Sequence, residues 1–324
     1  MAEQIFVTGA SGFIGGALVK ALVADGSSVR AIARSPEAAA KVEALGAEPV
    51  LGDIGNPGEI RAAAEGCSLA FHAAALPAEW GPRADFVAAN VTGTANVLGA
   101  CEAAGVGRLV HVGTEASSFA MEPLVNIDET APLRPDSPVL YSSTKAESEQ
   151  LVVAASKEGF ETVIVRPRLV WGPGDATVLP GIAAAVEGGQ FAWVDGGHHK
   201  TSTAHIDNVV HGLRLAAEKG RAGEAYYVTD GEHLEFRDFI TRLLATVGLT
   251  PPDRNMPKRL AKAVATAGEA LWGTLPLPGS PPVTRMAYFL IANEATIDIT
   301  KARTELGYEP VISVDRGLEE LAAS

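Results

Sequence analysis

From Gln4 to Pro167 the chain alternates short β-branched apolar runs with longer alanine-rich stretches, the pattern of repeated βα units feeding a parallel sheet. Strands are expected at Ile5–Thr8, Ser28–Ala33, Glu48–Leu51, Leu69–His72, Arg108–Gly113 and Thr162–Arg166. Each is too uniformly apolar for a sheet with one wet face, so helices must cover both faces. Those helices are expected at 13–25, 57–65, 84–105 and 142–158. The six βα-type repeats predict an α/β fold with a doubly wound parallel sheet.

After Trp171 the pattern loosens. WGPGD at 171–175 is a turn-rich break, and Gly/Pro punctuation recurs at 188–189, 196–197, 251–252 and 276–282. A dinucleotide-binding domain is therefore expected over 1–171 and a smaller substrate-binding lobe over 172–324, some of whose segments return to the first domain. Helices are expected near 207–218, 235–247 and 257–272, and the proline-dense stretch 275–283 reads as a loop. The 257–272 helix carries Lys258, Arg259 and Lys262 beside Leu260, Val264, Leu271 and Trp272. That pattern suits a lid or a dimer-packing helix, with shallow membrane contact as the alternative.

Charge narrows the partners. With 39 acidic against 26 basic side chains, a net charge of −13 opposes the phosphate backbones of nucleic acids. Only Cys67 and Cys101 are present, too few for a disulfide framework, and no spacing suggests a metal site. The N-terminus runs straight into a predicted strand, and the longest apolar stretches, 70–76 and 287–292, fall far short of the roughly 20 residues of a membrane span. The expectation is a soluble, cytoplasmic protein.

The chemistry begins at Thr8-Gly9-Ala10-Ser11-Gly12-Phe13-Ile14-Gly15, directly after a strand and opening a helix. Gly9 permits a tight turn, Gly12 lets backbone amides approach a pyrophosphate, and Gly15 lets helix and strand close up. The helix N-terminus adds partial positive charge. Where an NAD enzyme would present a carboxylate to the ribose 2′-hydroxyl, this chain has Arg34 and Ser35, suited to a 2′-phosphate. NADP(H) is the expected coenzyme, with NAD(H) the alternative. Asp53 and Ile54 follow the third strand, where they can meet an adenine ring, although Asp53 also suits a helix N-cap. Ala73, Ala74 and Ala75 end the fourth strand in small residues that leave room for the coenzyme, while His72 is expected to pack in the sheet.

Tyr141 and Lys145 are four apart at the start of a predicted helix and so share one face. A phenol titrating near 10 is a weak acid/base partner at neutral pH, and a nearby ammonium favours its ionised form. Thr114 lies at the end of the fifth strand, the edge where open α/β sheets place ligands, and its hydroxyl can orient a carbonyl. Glu115 beside it either contacts substrate or faces solvent. Trp80, Trp171, Phe191, Trp193 and the Leu/Pro-rich stretch 271–283 offer apolar walls, either to a substrate or to an ordinary core.

Together these elements resemble the extended short-chain dehydrogenase/reductases, and more narrowly their 3β-hydroxysteroid dehydrogenase-like branch. The marks are TGASGFIG at 8–15, GDI at 52–54, FHAAA at 71–75, NVTGTANVL at 90–98, YSSTK at 141–145 and RPRLVWGPGD at 166–175, followed by TAHIDNVVHG at 203–212 and ELGYEP at 305–310. The resemblance implies a Rossmann-type domain with a smaller C-terminal lobe. It implies coenzyme contacts from Gly9, Ser11, Gly12, Phe13, Ile14, Pro167 and Val170 as well as the residues above. It also implies that Tyr141 exchanges a proton, Lys145 lowers its pKa and holds ribose, and Thr114 steadies the substrate oxygen. Members usually carry serine at positions 113 and 114, and steroid-active relatives often have an acidic residue where Arg34 stands.

The function expected is interconversion of a secondary alcohol and a ketone on a small hydrophobic substrate, sterol-like or lipid-like. A sugar-nucleotide epimerase or dehydratase shares the fold and the Tyr/Lys pair, but such enzymes usually favour NAD, against Arg34. A coenzyme-sensing regulator without chemistry would not need both Tyr141 and Lys145. The resemblance further implies homodimers formed through the helices at about 84–105 and 142–158.

Overall fold

A computed structural model describes residues 4–275 and 277–323; one position of the expected 275–283 loop, 276, lies outside them. Seven strands form the main sheet: β1 (Gln4–Thr8), β2 (Ser28–Ala33), β3 (Glu48–Leu51), β4 (Leu69–His72), β5 (Arg108–Val112), β6 (Glu161–Pro167) and β7 (Ala225–Val228). All pair in parallel, in the order β7-β6-β5-β4-β1-β2-β3. The winding reverses beside β1, which opens a crevice at the carboxyl ends of β1 and β4.

Strand periodicity assigns the two faces. Ile5 and Val7 of β1 pack with Leu18, Val19 and Leu22 of α1 (Phe13–Ala24) on one side. Phe6 packs on the other with Val97 and Cys101 of α2 (Gly93–Ala103) and Val152 of α3 (Leu140–Ala155). The helix expected at 84–105 is built in three pieces: a short α-helix at Arg83–Phe86, a wider π-helical turn at Val87–Thr92, and α2. A helix at Pro36–Ala44, absent from the expectations, starts on Ser35, whose hydroxyl accepts a hydrogen bond from the Ala38 amide at 3.2 Å.

Beyond Trp171 the chain leaves the sheet and comes back. α4 (Ile206–Lys219) packs Val209, Leu213 and Ala216 into the same core as α1, and β7 closes the edge beside β6. The smaller lobe holds a four-stranded sheet in which Leu124–Ile127 pairs with Ala295–Ile297, and Lys200–Thr201 lies between that strand and Leu234–Glu235. α5 (Lys258–Thr274) buries only Ala261 and Ala265, against Tyr288 and Ala292 of α6 (Arg285–Ala292), and leaves Leu260 and Leu271 exposed. Among the described residues no helix is long and apolar enough to cross a membrane.

Candidate active site

The glycine loop after β1 is shaped by close approach. Gly9 has φ +75°, and a β-carbon there would lie 2.6 Å from the backbone of Ala73 and Ala74, so the turn and the end of β4 touch backbone to backbone. A β-carbon on Gly15 would collide with the Gly9 carbonyl. α1 begins with no side-chain cap, and Ser11 and Gly12 are exposed. Its first amides are therefore free to bind an anion, and the loop fits a dinucleotide pyrophosphate.

Around this loop stand the other expected coenzyme residues. Phe13 is half-buried, its ring 3.7 Å from where a side chain on Gly174 would begin, and Ile14 packs on the core. Arg34 is exposed at the end of β2, and among the described residues no carboxylate pairs with it. Asp53 is not a helix N-cap; Asn56 caps the helix Pro57–Ala64, and Asp53 Oδ1 accepts from the Gly55 amide at 2.6 Å. Ile54 meets Gly93 of α2. Ala73 and Ala74 donate their amides to the Thr8 carbonyl and hydroxyl, and Ala75 is exposed. Pro167 ends β6, and Val170 pairs with Ala204.

The next cluster lies at the end of β5. Tyr141, in the first turn of α3, packs against the cluster of Ala116, Phe119 and Val139, with the Thr114 hydroxyl and the Glu115 carboxylate among the groups that act on its phenol. Burial pushes the phenol's pKa up, the Glu115 charge adds to that, the Thr114 hydroxyl opposes it, and Glu149 raises it further. Lys145 does not reach the phenol here. Its Nζ donates to the Val112 carbonyl at 2.8 Å and lies 3.0 Å from His111 Nε2, and burial lowers the ammonium's pKa to about 8. His111 is held neutral by burial first and then by Lys145. His72, buried as expected, bonds Thr8 and Thr94 and is pushed down to about 3.

Several of these residues lay beyond reasoning from the sequence. Asn90, in the π-helical turn, accepts from the Leu76 amide at 2.7 Å and donates to Thr144 at 3.1 Å, tying α3 to the chain that leaves β4. Its signal is a polar side chain inside the NVTGTANVL motif. Glu149 accepts from the Thr114 amide (3.2 Å), Ser117 Oγ (2.7 Å) and Arg166 Nε (2.7 Å), and so fixes the backbone that carries Thr114. Glu115 does not face solvent; it is buried and paired with Arg168. Trp80 is half-buried near Gly273 of α5. Trp171 is fully buried, donates to Asp230 at 2.9 Å, and shares a closed core with Phe191, Trp193 and Phe239. Large aromatics serve a core and a cleft equally well, and here the core takes them.

The profile of the 3-beta hydroxysteroid dehydrogenase/isomerase family matches residues 6–258. The chain belongs to this family. It is thereby an oxidoreductase of the short-chain dehydrogenase/reductase type, a class that acts on hydroxyl and keto groups. A 4-hydroxy-2-methyl-3-oxo-4-farnesyl-3,4-dihydroquinoline-1-oxide ketoreductase of Stigmatella aurantiaca is 46% identical over 319 residues, 98% of this chain and 95% of that protein. A 2-alkyl-3-oxoalkanoate reductase of Stenotrophomonas maltophilia is 36% identical over 99% of both chains. The fold is shared with DesIV, a dTDP-glucose 4,6-dehydratase of Streptomyces venezuelae solved with NAD, at a TM-score of 0.77 and 24% identity over 98% of this chain and 95% of that one.

Proposed function

We propose that this family member is an NADP(H)-dependent reductase that interconverts a ketone and a secondary alcohol on a hydrophobic substrate. The observation that carries the reading is that Thr114 at the carboxyl end of β5 and Tyr141 in the first turn of α3 share a sheet edge with the uncapped N-terminus of α1, with an apolar cluster packed on Tyr141. Ala116, Phe119, Met121, Met286, Phe289 and Leu290 pack in the cluster that includes Tyr141. α6 brings three of these, so the lobe beyond residue 172, outside the returning segment 206–228, contributes the substrate wall.

When bound, the coenzyme supplies a hydride to the carbonyl carbon. Tyr141 Oη hands its proton to the carbonyl oxygen, and bulk water restores it. The ammonium of Lys145 has three donors and uses two on this chain, which leaves one for a ribose hydroxyl. The first amides of α1 hold the pyrophosphate, and Arg34 with Ser35 takes the 2′-phosphate. The names of the relatives support substrates with a keto group next to a hydrocarbon chain.

The test is NADPH and NADH oxidation by the purified protein over a panel of 3-oxosteroids, 2-alkyl-3-oxoalkanoates and aliphatic ketones, with sugar nucleotides alongside. Reduction of lipophilic ketones with NADPH preferred is expected. Turnover of sugar nucleotides alone, or equal kcat/KM with both coenzymes, overturns the substrate class or the coenzyme preference respectively.

A further inference from the structure

One histidine stands where the sheet calls for a hydrocarbon. Residues 109 and 111 of β5 point to the face that α2 and α3 cover, and Leu109 packs there with Phe6, Ala70 and Ile164. His111 continues that row, between His72 of β4 and Ile164 of β6, and is 1% exposed. An imidazole in such a place needs hydrogen-bond partners, because a buried polar group without them costs stability. Its Nδ1 finds none among the described residues. Leucine would suit the position better, so the histidine calls for a reason beyond packing.

Its other nitrogen supplies one. Lys145 Nζ lies 3.0 Å from His111 Nε2 and donates to the Val112 carbonyl at 2.8 Å. An ammonium has three protons and no lone pair, so Nε2 is the acceptor and the single proton of the neutral ring sits on Nδ1. The neighbouring ring takes the opposite form. Thr94 gives its only proton to the Asn90 carbonyl at 2.6 Å, so His72 Nε2 carries a proton and donates to Thr94 at 3.0 Å, while its Nδ1 accepts from the Thr8 hydroxyl at 2.7 Å. The two ring centres are 5.1 Å apart. His72 is thus fully occupied by its own strand-end threonines, and the lone pair of His111 is left to Lys145.

We propose that His111 is a positioning residue for Lys145: together with the Val112 carbonyl it holds two of the three N–H bonds of the ammonium and so aims the third at the coenzyme ribose. Two fixed acceptors stop the rotation of a tetrahedral head group, and the direction of the remaining bond follows from theirs. Both acceptors belong to β5. The ammonium is therefore registered to the strand end at which the crevice opens, rather than to the helix that carries it. The inference rests on the reading of Lys145 as the residue that holds the ribose.

The experiment is a double-mutant cycle on NADPH affinity, read by fluorescence titration of wild type, His111→Leu, Lys145→Met and the double variant. Leucine fits the apolar face and offers no acceptor. His111→Leu is expected to weaken NADPH binding about tenfold, the size of one lost hydrogen bond to a charged group. In the Lys145→Met background the same substitution should change the affinity by less than about twofold, since a residue that acts through Lys145 has nothing left to position. His111→Gln, whose Oε1 can take the place of Nε2, should recover most of the loss. A penalty of equal size in both backgrounds, no penalty in either, or a glutamine variant as weak as the leucine variant overturns the proposal. A second measurement does not depend on folding of the leucine variant. In protein labelled with 15N-histidine at pH 7, the ring signals that vanish in His111→Gln should be those of the Nδ1–H form, and an Nε2–H form there overturns the proposal equally. Should wild type reduce no ketone, the reductase reading falls, while the affinity cycle and the ring signals still decide the role of His111.

Discussion

Glu149 Oε1 stands 2.6 Å from where a β-carbon on Gly113 would begin, with Ile164 Cγ2 at 2.8 Å and Arg166 Cγ at 3.1 Å. The missing side chain at 113 and the buried carboxylate at 149 are two halves of one arrangement. The space that a serine side chain would fill is taken by the Glu149–Arg166 pair that braces Thr114. Gly113→Ser should therefore destabilise the protein by about 1–3 kcal/mol through overpacking. Urea unfolding measures the loss, and a variant as stable as wild type would show that Glu149 moves aside freely.

Tyr141→Phe removes one oxygen and nothing of the glycine loop. Ketone reduction should fall by about two to four orders of magnitude, the usual contribution of a positioned general acid. NADPH affinity, read by fluorescence titration, should stay within a few-fold of wild type. Retained turnover would take the proton transfer away from this phenol.

Arg34 sits exposed at the end of β2, and among the described residues no carboxylate pairs with it. Arg34→Ala should raise KM for NADPH at least tenfold, the loss of a charge-assisted contact to phosphate, and leave KM for NADH nearly unchanged. Equal effects on the two coenzymes would separate Arg34 from the 2′-phosphate.

His72 makes stability depend on acid. Its folded pKa of about 3 lies below the ordinary value of 6.5, so between these the unfolded chain binds the extra proton. Its contribution is fully present above pH 6.5 and is lost progressively as pH falls towards 3. The slope is about 1.4 kcal/mol per pH unit at most from this one group. Urea midpoints at pH 7, 6, 5 and 4 should decline below 6.5, and more gently in His72→Gln; equal slopes would acquit this histidine.

Elements governed by local sequence were legible. Six of the seven main-sheet strands fall within a residue of their expected ends, because apolar runs between turn signals need no partner to be seen. The seventh, Ala225–Val228, lies outside the run of βα units, and its place beside β6 depends on contacts some sixty positions away. Pro36–Ala44 escaped because its alanines and charges lack a marked apolar stripe. At the candidate site, residue type pointed to Thr114, Tyr141 and Lys145, but not to what surrounds them. The Glu115–Arg168 and Asn90–Thr144 contacts each join residues more than fifty positions apart. Trp171 shows the opposite failure, a large aromatic whose destination was decided by packing alone.

Leu124–Ile127 lies at the edge of the small sheet and pairs with Ala295–Ile297. On a ribosome the strand Leu124–Ile127 must therefore wait for some 170 further residues before its neighbour is made. The coenzyme half can assemble early from local βα units, whereas the wall behind Tyr141 is knitted last from the two ends of a long loop of chain. Fragments that stop short of residue 295 could thus hold a dinucleotide and yet have no chamber in which to use it.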